Sequence, residues 1–310
     1  MSLGVVFPGQ GSQRVGMLAE AAAEFAEVKG AFAEASESLG YDLWALVSEG
    51  PDEQLNLTEF TQPAILTASV ALYRAVCKRH DIAPIAGAGH SLGEYSALVA
   101  AGVLSLGDGA ALVRKRGAAM QKAVPVGAGA MAVVLGLEDK IVAEVCSAIA
   151  TPGAYVGGVN FNAPGQVVIA GAAGAVDNAV HALKEAGARR AMPLPVSAPF
   201  HTPLMQPAAD VMAEAFEAVA WRTPSFPVVS NVDGALLASP SLIKTSLVQQ
   251  ISSPVLWTEC MSTLKNQGCG QFIECGPGNV LCGLSKRIDK SVPIKSIESV
   301  AAIEAGLTDL

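Results

Sequence analysis

Charge and aromatic rings are both scarce in this chain. Only 15% of its 310 residues are charged and 5% aromatic, against 51% hydrophobic. So little charge beside so much apolar surface excludes extended disorder. Few rings among abundant Ala, Gly and Val favour close-packed α/β layers over an aromatic-rich β-sandwich. A basic excess is missing too: 20 Lys and Arg face 28 Asp and Glu, a net charge of −8. Nucleic acid is therefore not an expected partner, because phosphate contacts need a basic surface. No uninterrupted apolar run is long enough to span a membrane. Residues 123–137 are uncharged but hold three glycines and a proline, and residues 191–209 carry five prolines. The N-terminus lacks the basic start and apolar run of a secretory signal, so a cytoplasmic location is expected.

Metal-ligand spacing is also absent. The six cysteines (Cys77, Cys146, Cys260, Cys269, Cys275, Cys282) form no C-x-x-C, and the four histidines make no metal spacing with them. Buried free thiols are the expected state, with no metal and no cofactor.

What is present is an alternation of short apolar runs and helical stripes. Val5-Val6-Phe7 reads as a buried strand stopped by Pro8-Gly9, and residues 82–88 as the strand before a sharp turn. Helical spacing covers residues 17–39, 62–79, 94–101 and 108–123. The pattern then changes. Residues 130–135, 155–160, 166–170 and 190–194 read as strands, with helices over 138–149 and 175–186 and the turn Asn162-Ala163-Pro164-Gly165. This β-α-β-β-α-β order is that of a ferredoxin-like unit. Residues 203–220 and 242–251 are helical, Val228-Val229 begins a strand, and Phe272-Ile273-Glu274 is another. The expected fold is α/β. A large, parallel-sheet subdomain (1–126 and 198–310) carries an inserted ferredoxin-like subdomain (127–197).

Within the large unit, Gly89-His90-Ser91-Leu92-Gly93-Glu94 fits G-x-S-x-G, a serine on a strand-to-helix turn. Such a turn lifts the hydroxyl clear of the sheet and aims backbone N–H groups at a developing oxyanion. The hydroxyl still needs a base. Of the histidines, His80 lies at a polar helix end, His181 on a surface-type helix, and the side chain of His90 points away from its neighbour Ser91. His201 remains, in a proline-rich return between the two units, where clefts form. No acid to orient it is singled out. Asp177 and Asp233 stand at expected turns, and a backbone carbonyl could serve instead. Arg116 lies on an otherwise apolar helix face with Val113 and Met120. A semi-buried arginine calls for an anion, either an internal salt bridge or a substrate carboxylate.

Seven ordered motifs carry a family resemblance over essentially the whole length. They are Phe7-Pro8-Gly9-Gln10-Gly11-Ser12-Gln13, Thr61-Gln62-Pro63-Ala64, the segment Gly89 to Leu98, Arg116-Gly117, Val159 to Gln166, Phe200-His201, and Glu274-Cys275-Gly276-Pro277-Gly278. With them the chain resembles the malonyl-CoA:acyl carrier protein transacylases of dissociated fatty-acid synthesis, large subdomain α/β-hydrolase-like. The resemblance implies that Ser91 takes the malonyl group as an ester, with His201 as base. Backbone N–H groups of Gln10 and Leu92 would form the oxyanion hole. Arg116 would hold the free malonyl carboxylate, and Gln62 would line the pocket. The Gln250 backbone carbonyl would orient His201, although Ser252-Ser253-Pro254 departs from the usual Asn-Pro ending. Methylmalonyl-preferring relatives often carry Gln after the serine and Ser before the histidine. Leu92 and Phe200 stand there, which favours malonyl.

The implied partners are malonyl-CoA and, transiently, a holo acyl carrier protein. An acidic carrier would need a local basic patch, for which Arg189-Arg190 and Lys286-Arg287 are candidates. A serine hydrolase or thioesterase would share Ser91 and His201 without needing Arg116. A polyketide pathway could use the same residues, and a non-catalytic docking subunit would need none of them.

Overall fold

The computed structural model describes residues 2–196 and 198–308. Two sheets organise it. The larger has six strands in the order β10-β9-β1-β2-β7-β8. They are β1 (Leu3–Phe7), β2 (Pro84–Gly89), β7 (Val228–Val229), β8 (Leu236–Leu237), β9 (Gln271–Glu274) and β10 (Ile294–Ser296). All neighbours in it run parallel except β7 and β8. β1 is central and buried along its whole length, as its unbroken LGVVF run suits. β2 reads PIAGAG, a poor strand by propensity. Packing explains it: a Cβ on Gly89 would collide with the backbone of Gly93 and Glu94, and one on Gly87 would crowd Phe226 and Val5. Only small residues let the following helix, Gly93–Ala100, sit directly over the strand end.

The second sheet is antiparallel, in the order β4-β5-β3-β6. Its strands are β3 (Gly129–Leu135), β4 (Val156–Ala163), β5 (Gln166–Ala172) and β6 (Arg190–Pro193). The helices Asp139–Ile149 and Ala173–Glu185 cover one face, and Val142, Cys146, Val176, Ala179 and Leu183 fill the core between them and the strands. β4 joins the second sheet to the loop before the helix Trp257–Asn266: Phe161 donates its N–H to the Val255 carbonyl at 2.9 Å, and Val255 donates to that of Val159 at 2.8 Å. The protein is thus mixed α/β, with one mainly parallel and one antiparallel sheet.

Several elements differ from the sequence reading. Where spacing predicts one helix over 17–39, two form, Ala19–Glu24 and Ala26–Leu39, because Phe25 is extended and turns its ring inward beneath the Arg79 guanidinium. The helix predicted from residue 62 begins four residues earlier, as Thr58–Arg79, buried nearly all round. Helices Leu43–Glu49, Trp257–Asn266 and Val280–Ile288 go unpredicted. Among the described residues no helix is long and apolar enough to cross a membrane.

Candidate active site

The carboxyl ends of β1 and β2 lie side by side, Phe7 opposite Gly89. β2 runs into His90 and then Ser91, whose φ of 52° is left-handed. Leu92 has helical dihedrals and caps Gly93–Ala100. A non-glycine residue in left-handed backbone, as Ser91 is, costs on the order of 1–3 kcal/mol and persists only where its surroundings over-determine it. The surroundings do so here. Ser91 donates its N–H to Asn231 Oδ1 at 2.6 Å, and its carbonyl accepts from Gln250 Nε2 at 2.9 Å.

His201 is buried and also left-handed, with φ of 62°. Its Nε2 lies 2.7 Å from Ser91 Oγ, and its Nδ1 lies 2.9 Å from the Gln250 carbonyl oxygen. A carbonyl oxygen only accepts, so Nδ1 carries the hydrogen and Nε2 presents its lone pair to the serine. Burial first, then the nearby Arg116 cation, hold the imidazole down at about 3. A neutral ring beside a hydroxyl can take its proton. Asp177 and Asp233 are both exposed.

Arg116, on the helix Leu106–Lys122, is 1% exposed. Its Nη1 donates to Gln62 Oε1 at 3.0 Å, and its Nη2 to Gln250 Oε1 at 2.8 Å and Ser91 Oγ at 3.2 Å. Nε has no partner. Burial lowers its pKa, opposed by Tyr95 and Glu94. No carboxylate touches it among the described ion pairs. The internal salt bridge left open by spacing is therefore not formed, and a buried cation faces a cavity with neutral partners only. That cavity, of about 130 Å³, is lined by Ser91, His201, Arg116, Gln62, Gln10, Leu92 and Phe200, with Met120, Met131 and Asn160 on its walls. Among the described residues the N–H groups of Gln10 and Leu92 donate to no protein acceptor. All eight residues singled out from sequence thus converge here, Gln250 from behind the arginine.

His90 turns away as expected, its Nε2 lying 2.7 Å from Asn162 Oδ1. His80 is half-buried, its Nε2 lying 2.9 Å from the Ile303 carbonyl oxygen. Arg189, Arg190, Lys286 and Arg287 are exposed. Arg287 donates to Gln166 Oε1 at 2.7 Å.

Sequence reasoning misses two buried polar residues. Asn231 follows β7 and brackets the serine turn, its Nδ2 donating to the Gly89 carbonyl at 2.8 Å. Glu94 is wholly buried, and burial pushes its carboxyl up to about 7, against the hydrogen bonds from Gln250 and Asn231. Glu94 directly follows the G-x-S-x-G segment, and Asn231 lies two residues past β7, the strand beside β2. Those positions were the available signal.

A strand-turn-helix serine paired with a neutral histidine, beside a pocket holding a buried guanidinium, is equipment for acyl transfer through an ester, suited to an acyl group with a carboxylate. Comparison with known proteins agrees. The acyl transferase domain matches residues 5–309. The malonyl CoA-acyl carrier protein transacylase of Escherichia coli strain K12 is 51% identical over 302 residues, 97% of either chain. The crystal structure of an acyl carrier protein S-malonyltransferase from Vibrio cholerae superposes with a TM-score of 0.95 at 52% identity, covering 98% of this chain and 99% of that one. A malonyl-transacylase in complex with its type II PKS acyl-carrier protein gives a TM-score of 0.97 at 49% identity, with full coverage of both chains. The chain belongs to the malonyl CoA-acyl carrier protein transacylase family.

Proposed function

We propose that this protein transfers malonyl from coenzyme A to the phosphopantetheine thiol of an acyl carrier protein, in fatty-acid biosynthesis, through a Ser91 ester. The observation that carries the mechanism is the 2.7 Å approach of Ser91 Oγ to His201 Nε2, with the Arg116 guanidinium 3.2 Å from the same oxygen. In the first half-reaction Ser91 Oγ attacks the malonyl thioester carbonyl while His201 Nε2 takes the hydroxyl proton. The tetrahedral oxyanion is held by the N–H groups of Gln10 and Leu92; one such donor is worth on the order of 10²–10³ in rate. On collapse the C–S bond breaks, and His201 returns its proton to the coenzyme A thiolate. In the second half, His201 removes the proton of the carrier thiol, the sulfur attacks the Ser91 ester, and the serine leaves with that proton. The Gln250 carbonyl keeps the ring in the tautomer both halves need.

Arg116 selects the acyl group. Its fork accepts the malonyl carboxylate, whereas an acetyl group leaves the buried cation without an anion. Phe200 narrows the space beside the acyl Cα, against a methyl branch.

The same proposal covers organisation and location. Residues 127–197 form an inserted unit whose β-α-β-β-α-β order and β4-β5-β3-β6 sheet support a ferredoxin-like reading. Its last residue, Ser197, lies outside the described residues. Residues 1–126 and 198–310 form the α/β-hydrolase-like unit, supported by the parallel sheet and the serine turn. A cytoplasmic location suits six unpaired cysteines, five of them buried.

Mass spectrometry after mixing with malonyl-CoA tests the mechanism. A malonyl adduct mapping to the Ser91 peptide is expected, discharged by carrier protein and absent from Ser91→Ala. Rapid release of malonate without a carrier would instead make the protein a hydrolase.

A further inference from the structure

Glu94 has no role in the chemistry above, yet through two neighbours it reaches Ser91, His201 and Arg116. Its Oε2 accepts the Asn231 N–H at 3.1 Å and Gln250 Nε2 at 2.9 Å. Asn231 in turn receives the Ser91 N–H through Oδ1 and ties down Gly89 through Nδ2. Gln250 holds three further groups: its carbonyl takes His201 Nδ1, its Oε1 takes Arg116 Nη2, and its Nε2 also reaches the Ser91 carbonyl. One buried oxygen atom thus fastens the two brackets that hold Ser91 and His201, both in left-handed backbone. It also settles which way the Gln250 amide faces. With Nε2 bound to Glu94, Oε1 must point at the guanidinium; a flipped amide would set NH2 against a cation.

Resting on the serine ester mechanism, we infer that Glu94 is a positioning residue for acyl transfer, holding Ser91, His201 and Arg116 in register through Asn231 and Gln250. A carboxylate that merely neutralised Arg116 would sit against it. Here an amide stands between the two, passing on orientation as well as charge. The second oxygen, Oε1, has no partner, so Oε2 carries the whole of the hydrogen-bonded linkage.

Two variants of similar volume separate positioning from filling space. Glu94→Gln keeps an oxygen that accepts both N–H groups; Glu94→Met fills the site and accepts neither. The measurement is the pre-steady-state rate of coenzyme A release from malonyl-CoA, per active site titrated by malonyl labelling, with thermal unfolding alongside. Loss of register by about 1 Å is expected to slow release in Glu94→Met about 100-fold. Glu94→Gln should stay within about fivefold of the parent, the difference between a charged and a neutral acceptor. Acetyl-CoA, which brings no carboxylate to the arginine, should show the same pattern. The inference is overturned if folded Glu94→Met releases coenzyme A at the parental rate, or if Glu94→Gln is as slow as Glu94→Met. If Glu94→Met does not fold, Gln250→Met, which keeps the backbone carbonyl on His201 but removes the side-chain link to Glu94, carries the test: release at the parental rate in folded Gln250→Met would overturn the inference. A Ser91→Ala protein that still malonylates carrier would instead refute the serine mechanism itself.

Discussion

Replacing Arg116 by alanine should change which acyl group is moved more than whether one is moved. The guanidinium is 1% exposed and bonded to Gln62, Gln250 and Ser91, none of them charged. A malonyl carboxylate in the pocket completes an ion pair with two charge-assisted hydrogen bonds, each worth about 1.5–3 kcal/mol. Removing both costs about 3–6 kcal/mol, which at roughly 1.4 kcal/mol per decade is about 10²–10⁴ in kcat/KM for malonyl-CoA. Acetyl-CoA brings no carboxylate. Its transfer loses only the Nη2 contact to the serine oxygen, about 1 kcal/mol or fivefold. The malonyl-to-acetyl preference should therefore fall at least about 20-fold. Arg116→Lys should lie between parent and alanine, because a point charge replaces the planar fork. The assay is coenzyme A release from each donor with pantetheine as acceptor, over a range of donor concentrations. Equal losses for malonyl and acetyl would remove the arginine from acyl selection and leave it a structural cation.

Two further predictions concern the scaffold and pH. Gly89→Ala drives a Cβ into the Gly93–Glu94 backbone and should cost at least the roughly 1–3 kcal/mol of an overpacked core, whereas Gly30→Ala, on an open helix face, should stabilise by about 0.5–1 kcal/mol; chemical denaturation giving equal effects would contradict the close-approach account. His201 and Glu94 should tilt stability in opposite directions. Burial and Arg116 depress His201 from 6.5 to about 3, so its contribution is complete above 6.5 and lost as pH falls toward 3. Burial raises Glu94 from 4.5 to about 7, so its contribution is complete below 4.5 and lost as pH rises through 7. Thermal unfolding across pH should show the acid-side slope reduced in His201→Gln and the neutral-side slope reduced in Glu94→Gln. Slopes unchanged in both variants would refute the assignment.

What the sequence makes legible follows from the range over which each constraint acts. The serine turn is local on one side: Gly89 must be small because a Cβ there would strike the Gly93–Glu94 backbone, a requirement written within six residues, whereas Gly93 must be small because the Phe7–Pro8 backbone of the neighbouring strand presses on it. The antiparallel sheet is legible for the same reason, since its β4–β5 turn and its flanking helices are neighbours along the chain. Arg116 was half legible. Its helix face announces burial, but spacing cannot say that neutral Gln62 and Gln250 would meet it instead of a carboxylate, and that outcome is what leaves the cation available. β2 was legible only through the turn that follows it, because Ala and Gly gain strand character from the β1 and β7 strands that flank them. Glu94 and Asn231 were the hardest to read. Their partners lie 137 to 156 residues away in sequence, so no local pattern distinguishes Glu94 from an ordinary helix-surface glutamate. The residues that do chemistry here carry local signatures, because a turn or a helix face must present them. The residues that hold them carry none, because a bracket between β2, β7 and the helix Pro240–Ser252 exists only once those elements have met.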